Sequence, residues 1–308
     1  MRIAYISALE ELSRKNKNIM AIVADIGAIV YDKYREEFPG RFLNVGVAEQ
    51  NMIGLAAGLA SCGKIPFTYT ITPFITMRTF EQIKNDVCLQ DTNVKIVGVG
   101  AGLRYSTLGP THHAIEDIAL MRVLPNMTIV SPADPLETKL ATFAIADFKG
   151  PTYFRIGTRG EPKIYAKDYD FKIGKGVQLK DGDDLTILST GSITYDVLQA
   201  AYELEKKDVS TRVVNIHTIK PIDKHIILKS ATETGAVLTV EEHSLEGGFG
   251  SKIAEILLDK NITDINFKRI GINDCFCSFY GTHNEIKNKY GIGKENIIKE
   301  ALKIKRER

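Results

Sequence analysis

Three segments of the 308-residue chain carry side chains suited to moving protons and holding an aromatic or anionic ligand. The first is Arg41-Phe42-Leu43-Asn44-Val45-Gly46-Val47-Ala48-Glu49-Gln50-Asn51-Met52. A strand ends there at Gly46, and Glu49 opens a helix that sets Met52, Leu55, Ala56 and Leu59 on one apolar face. Gly54, Ala57 and Gly58 on that helix let another backbone come close. Taken alone, a glutamate in a first helical turn is most often a partner for the helix dipole. The second segment runs from Pro66 to Arg78 and places Phe74 eight residues past the proline. The third is Gly109-Pro110-Thr111-His112-His113, where an imidazole could shuttle protons or hydrogen-bond a developing alkoxide. Asp25 closes Val23-Ala24-Asp25, either as a site residue or as a local cap. Arg155 closes Tyr153-Phe154-Arg155, with a planar fork that suits phosphate. The alternative for Arg155 is a core-edge ion pair.

The elements that must position these residues alternate. Apolar runs that read as buried strands are 19–24, 42–45, 65–69, 94–99, 128–130 and 152–155. Helical patterns lie between them, including 48–62 and 74–89. Strand–helix alternation with near-continuous apolar strands implies a parallel sheet covered on both faces. In Ser131-Pro132-Ala133-Asp134-Pro135-Leu136-Glu137, Asp134 can cap a helix, Pro135 suits its first position and Glu137 can reach back. The pattern breaks from Gly157 to Phe171, which reads as an inter-domain linker. Alternation then resumes with strands at 185–189, 211–215, 236–240 and 267–270, and helices after Gly191 and Gly248. The fold class is therefore α/β, with two domains, each a mostly parallel sheet flanked by helices: residues 1–160, a linker at 161–175, and residues 176–308. The turn Gly247-Gly248-Phe249-Gly250 precedes a helix. It reads either as an anion site at the helix N-terminus or as close packing.

Composition excludes several function classes. The net charge is +2, so no strong field steers the chain toward nucleic acid or membrane. No run approaches the length of apolar sequence that spans a bilayer. The N-terminus reads as an amphipathic helix and not a signal peptide. The four cysteines, Cys62, Cys88, Cys275 and Cys277, lack a zinc-ligand spacing and read as reduced thiols of a cytoplasmic protein. The basic run Lys303–Arg308 reads as a fraying helix end.

The strand–helix junction Gly46-Val47-Ala48-Glu49, the aromatic Phe74 and Gly109-Pro110-Thr111-His112, in that order, resemble the transketolase family, together with 1-deoxyxylulose-5-phosphate synthase and the beta subunits of 2-oxo-acid dehydrogenases. The resemblance covers essentially the whole chain, as the pyrimidine-binding and C-terminal domains. It implies thiamine diphosphate as cofactor. The glutamate matching Glu49 hydrogen-bonds the aminopyrimidine ring at N1′, and so helps the ring activate the thiazolium, which acts as the electron sink. Phe74 matches the aromatic that stacks on the pyrimidine; the alternative is a core Phe under a loop. Ile71 and Met77 fall where transketolases carry further aromatics, and imply an apolar pocket wall of a different kind. Asp25 matches an aspartate near the thiazolium. His112 matches the histidine that faces the reacting carbon, and His113 is its neighbour. Arg155 matches an arginine that contacts sugar phosphate.

The chain departs from the family in two places. It has no Gly-Asp-Gly motif of the kind that holds magnesium and diphosphate; the nearest string, Asp181-Gly182-Asp183, sits in a turn of the second domain. A hard cation needs oxygen ligands. The resemblance therefore implies that the magnesium ligands lie on a separate N-terminal subunit, in an α2β2 assembly. The loop Gly102–Leu108 is also shorter than in transketolases, and Leu108 stands where an aspartate reads the acceptor hydroxyl. Arg104 and Tyr105 there read either as recognition of an unusual sugar or acid, or as a loop packed on its own protein. The expected activity is transfer of a two-carbon ketol unit between sugars or sugar phosphates. The alternatives are a decarboxylating carboligase and a non-catalytic regulatory paralogue; the latter has no chemical need for Glu49, Phe74 and His112 together.

Overall fold

Strands that are apolar along their whole length need cover on both faces, and the chain provides it for two sheets. The computed structural model describes residues 1–306, with the side chains of all but Ala28. The strands are Ile19–Val23 (β1), Phe42–Asn44 (β2), Ile65–Ile71 (β3), Lys95–Val99 (β4), Thr128–Val130 (β5), Thr152–Ile156 (β6), Val177–Lys180 (β7), Leu185–Ser189 (β8), Thr211–Asn215 (β9), Thr218–Lys220 (β10), Ala236–Ser244 (β11) and Asn266–Ile272 (β12). The first sheet has the order β10-β5-β6-β4-β3-β1-β2 and the second β12-β11-β8-β9-β7. All pairings are parallel except those of β10 with β5 and of β7 with β9. The central strands β1, β4, β6, β8 and β9 are buried at every residue, as parallel strands between helical layers must be.

Two strands have no counterpart among the apolar runs of the sequence. β7 (Val-Gln-Leu-Lys) is polar at alternate positions and half-exposed. β10 is only three residues long. It comes from the C-terminal half of the chain yet adds an antiparallel edge to the first sheet, so the two halves share a sheet.

The expected helix 74–89 is also interrupted. Residues Thr72–Thr76 form one short helix, Met77, Arg78 and Thr79 a turn, and Ile83–Cys88 a π-helical stretch. The cause lies in the threonines. Thr76 Oγ1 donates to the Thr72 carbonyl at 2.8 Å, and Thr79 Oγ1 back-bonds to the Ile75 carbonyl. Such hydroxyls compete with the helix ladder and bend it.

The segment 161–175 forms no helix or strand, but a buried carboxylate holds it in place. Glu137 Oε1 accepts from the hydroxyls of Tyr165 at 2.9 Å and Tyr169 at 2.6 Å, and from Asn215 Nδ2 at 2.8 Å. Burial pushes this carboxyl up, against the hydrogen bonds from Tyr169, the Ala133 N–H, Asn215 and Tyr165. Asp134 caps the same helix, accepting from the Glu137 N–H at 2.7 Å, and Glu137 reaches back to the Ala133 N–H.

At the C-terminus, the second sheet is covered by the helix Lys294–Arg306, whose Ile297, Ala301 and Ile304 pack with Val197, Ala201 and Leu204. The basic run is therefore helical as far as Arg306, with Lys303 paired to Glu300 and Lys305 to Asp184. The fraying expected there is corrected to this extent; Glu307 and Arg308 lie outside the described residues. Among the described residues no helix is long and apolar enough to cross a membrane.

Candidate active site

The carboxyl ends of β1, β2, β3 and β4 lie side by side, and their loops carry the residues singled out above. Ligands bind at this edge of an open α/β sheet. After β1, Asp25 is exposed and holds a left-handed backbone (φ 51°), a conformation in which aspartate is enriched. Asn44, at the end of β2, ties that loop to the next. Its Oδ1 accepts from the N–H groups of Asp25 and Gly46, each at 3.0 Å, and its Nδ2 donates to Asp25 Oδ1 at 3.2 Å. Nothing in the sequence pattern singles out Asn44 for this task.

Glu49 is the first residue of the helix Glu49–Ser61 and is 2% exposed. This helix buries Met52, Ile53, Ala56 and Ala57. Leu55 is 36% exposed, which corrects the expected apolar face. Gly54 and Gly58 are exposed, and a Cβ added at either would meet nothing within 4 Å. Among the described residues, no other backbone comes that close to them.

Ile71, the last residue of β3, is buried; beyond it Phe74 is half-buried and Met77 42% exposed. Thr72 Oγ1 donates to the Val99 carbonyl at 3.1 Å and fixes this short helix to β4. After β4, the chain turns through Gly100, at φ +89°, where a Cβ would lie 2.1 Å from the Tyr105 ring. Only glycine fits that contact. The loop then delivers His112, whose ring lies 5.2 Å from the Phe74 centroid and 6.3 Å from that of Tyr105, edge-on to both. Its Nδ1 is 3.0 Å from Thr111 Oγ1.

Glu49, Phe74 and His112 thus share one wall. Between the first two lies Arg78, a residue with no expected role. Its Nη1 donates to Glu49 Oε2 at 2.6 Å, and its guanidinium carbon sits 4.6 Å over the Phe74 ring centroid. The signal was present in the spacing: on a helical path, residues four apart share a face, and Arg78 follows Phe74 by that interval.

His113 points inward. It is buried, burial lowers its imidazole pKa, and the backbone of Ser106 and the neighbouring His112 modify this. Neither of its ring nitrogens meets a hydrogen-bond partner among the described residues.

At two arginines the contacts favour the second of the two readings left open by the sequence. Arg155 is 3% exposed; its Nε donates to Asp117 Oδ2 at 2.7 Å, and its Nη2 to Asp117 Oδ1 and to the carbonyls of Ala114 and Glu242. Tyr153 OH donates to the same Asp117 at 2.6 Å. The fork that would grip a sugar phosphate is already engaged by a buried aspartate. Arg104 likewise faces the protein. It pairs with Glu161 at 2.9 Å, donates to the Arg159 carbonyl at 2.8 Å and lies 3.0 Å from His283 Nδ1. His283 in turn bonds Glu242 at 2.8 Å. Burial would raise Glu242, but His283 and Lys287 together with the Leu103 N–H hold it well below the usual carboxylate range. This cluster fastens the 102–108 loop to the second domain. Tyr105 keeps its ring toward His112.

The turn at Gly247–Gly250 is likewise filled from within. Glu241 accepts from the Phe249 and Gly250 N–H groups at 2.6 and 2.7 Å, so the helix N-terminus already holds a carboxyl. A Cβ at Gly248 would lie 2.3 Å from Glu241 Oε2. Burial pushes Glu241 up to about 7, against those two N–H bonds, and burial holds His243 down at about 4. Between these values both groups are neutral, despite a separation of 3.8 Å. A folded pKa raised above the unfolded value means that the native state binds the extra proton. Glu241 therefore contributes stability that is complete below about pH 4.5 and is lost as pH rises through 7. Urea unfolding from pH 4.5 to 8 should show wild type losing up to about 3 kcal/mol relative to Glu241→Gln over this window; parallel pH profiles would contradict this.

Among the described residues no group of three or more His, Cys, Asp or Glu side chains is arranged to hold a metal ion. Asp181, in the turn after β7, instead accepts from Gln178 and the Gly182 N–H and lies 3.3 Å from Arg212 Nε.

Comparison with known proteins identifies the family and the fold. The family model described as "Transketolase, pyrimidine binding domain" matches residues 1–160, and that described as "Transketolase, C-terminal domain" matches residues 174–297. The chain is 38% identical over 305 residues to an apulose-4-phosphate transketolase subunit of Phocaeicola vulgatus, covering 98% of this chain and 96% of that one. It is also 38% identical to a 6-deoxy-6-sulfo-D-fructose transketolase subunit of Clostridium sp. (strain MSTE9), covering 99% and 94%. A solved structure described as "Split gene transketolase, inactive beta4 tetramer" superposes with a TM-score of 0.89 at 40% identity, covering 99% of this chain and 97% of that chain. The chain belongs to the transketolase family of transferases and corresponds to the C-terminal subunit of its split members.

Proposed function

We propose that this chain supplies the pyrimidine-side half of a thiamine-diphosphate site, and that with a separate N-terminal subunit it transfers a two-carbon ketol unit between sugars or sugar phosphates. The observation that carries this reading is the shared wall of Glu49, Phe74 and His112, with a nearly buried carboxylate beside an accessible ring. The residues fit the group: a carboxyl positioned to hydrogen-bond a ring nitrogen, an aromatic face on which a planar heterocycle can stack, and an imidazole beyond it. When bound, thiamine diphosphate supplies the electron sink for breaking and forming the carbon–carbon bond.

The chain's own residues bind, orient and move protons. Glu49 holds a proton or accepts one at the pyrimidine N1′. Phe74 orients the ring, with stacking contributing about 0.5–1.5 kcal/mol beyond burial. Ile71 and Met77 line the apolar wall. His112, steadied by Thr111, faces the substrate oxygen and exchanges a proton with it. Asp25, tied to Asn44, stands at the neighbouring loop on the thiazolium side. Magnesium and diphosphate are assigned to the N-terminal subunit, in an α2β2 assembly, because this chain offers no Gly-Asp-Gly motif. The names of the two relatives support a sugar-type donor, and Leu108, where the family carries an aspartate, supports a specialised rather than a general acceptor.

Mixing the two subunits with ketose-phosphate and ketose donors and aldose acceptors, and following carbon transfer by 13C NMR, tests this directly. Ketol transfer by the pair, and by neither chain alone, is expected. Decarboxylation of a 2-oxo acid by the pair without ketol transfer would overturn it in favour of the carboligase chemistry.

A further inference from the structure

A side chain already stands in the site where the pyrimidine would bind. Arg78 is 43% exposed, whereas the carboxylate it contacts is 2% exposed. Its guanidinium is a planar cation with N–H donors at its edge. It takes the two places that an aminopyrimidine would take: it bonds Glu49 Oε2, donating at 2.6 Å where the ring nitrogen would accept from a protonated Glu49 or donate once itself protonated, and its central carbon lies 4.6 Å over the Phe74 ring centroid. Among the described residues the guanidinium makes no other hydrogen bond or ion pair.

The local backbone explains why the arginine is there. Thr76 and Thr79 break the helix at Met77–Thr79, and Gln50 Nε2 donates to the Arg78 carbonyl at 3.1 Å. Gln50 follows Glu49 directly, so the same helix start that presents the carboxylate also anchors the turn that presents the cation. A nearly buried carboxylate without a partner is costly. Arg78 supplies one from solvent, through a side chain that can swing away without moving the backbone.

We infer that Arg78 is a built-in stand-in for the cofactor's pyrimidine ring, closing the Glu49–Phe74 subsite until the ring displaces it. This rests on the reading of Glu49 and Phe74 as the pyrimidine subsite. The arginine gives up one hydrogen bond and one stacking contact, and the incoming ring replaces both. Its departure is therefore a competition, and the apparent affinity falls by the fraction of molecules in which the subsite is open. An exposed cation–π contact together with a half-exposed ion pair sets that factor at about fivefold.

The test uses the assembled two-subunit enzyme, with thiamine diphosphate and magnesium as the probe and binding followed by stopped-flow fluorescence and calorimetry. Arg78→Met removes the cation and keeps a flexible side chain at an exposed turn. It should bind thiamine diphosphate about fivefold more tightly, through faster association. Arg78→Lys keeps the charge but loses the plane, and should fall between Met and wild type. Unchanged or weaker binding by Arg78→Met would overturn the inference, because the arginine would then either not compete or help to hold the ring. Phe74→Ala and Glu49→Ala separate the two levels of the argument. If both leave cofactor affinity unchanged, the subsite itself is misplaced and the inference falls with it. If they weaken binding while Arg78→Met fails to tighten it, only the role of Arg78 is lost.

Discussion

Glu49→Gln, assembled with the N-terminal subunit, should lose steady-state turnover by about 100- to 10,000-fold while the fold is kept. Glutamine has nearly the same shape and can still hydrogen-bond a ring nitrogen, so substrate and partner binding should survive. What it lacks is an ionisable proton to share with that nitrogen. The side chain sits at the start of a helix, 2% exposed, where Arg78 is its partner. Replacing the charged half of that pair by a neutral amide removes no packing. Circular dichroism and the thermal midpoint should therefore stay close to wild type while turnover collapses. Near-wild-type turnover would sink the assignment of this residue.

The second large effect is on stability. Arg155→Met should destabilise the chain by about 3–5 kcal/mol, because it leaves the fully buried Asp117 carboxylate without its cation. The loss should show as a lower urea midpoint with an unchanged denaturant slope. Replacing both partners by apolar side chains of similar volume should recover part of it, since the penalty lies in the unpaired charge rather than in the missing attraction. The competing view of Arg155 as a phosphate ligand expects a different signature: a raised KM for phosphorylated substrates with stability intact. Four hydrogen bonds into the interior, two of them to Asp117, favour the first outcome.

Much of this molecule was legible in its sequence because burial on both faces writes itself as unbroken apolar runs. β1, β4 and β6 were readable for that reason, and each lies inside the first sheet rather than at its edge. β7 escaped because it is half-exposed and polar at alternate positions, and β10 because its three residues, though mostly buried, carry too little periodicity to register. The helix 74–89 was misjudged because hydrophobic spacing does not report what a threonine hydroxyl does to the ladder above it.

At the site, the type and order of Glu49, Phe74 and His112 pointed to the chemistry, and the structure adds that they share one wall. The arginines could not be placed in the same way. Arg155 could serve a phosphate or a buried acid, and Arg104 an unusual substrate or the packing of its own loop; only the positions of Asp117 and Glu161, far away in sequence, favour one over the other. Likewise the glycine turn at Gly247 reads as close packing or as an anion site until Glu241, on the preceding strand, is seen to fill it.

The central claim is that this chain holds one side of the cofactor and cannot hold the other. The most direct measurement is calorimetric titration of thiamine diphosphate with magnesium into this chain, into the N-terminal subunit, and into the assembled pair. Tight, saturable, magnesium-dependent binding by the pair alone is predicted. Tight, magnesium-dependent binding by this chain alone would contradict the account, because the diphosphate would then be held by residues to which no such role has been assigned.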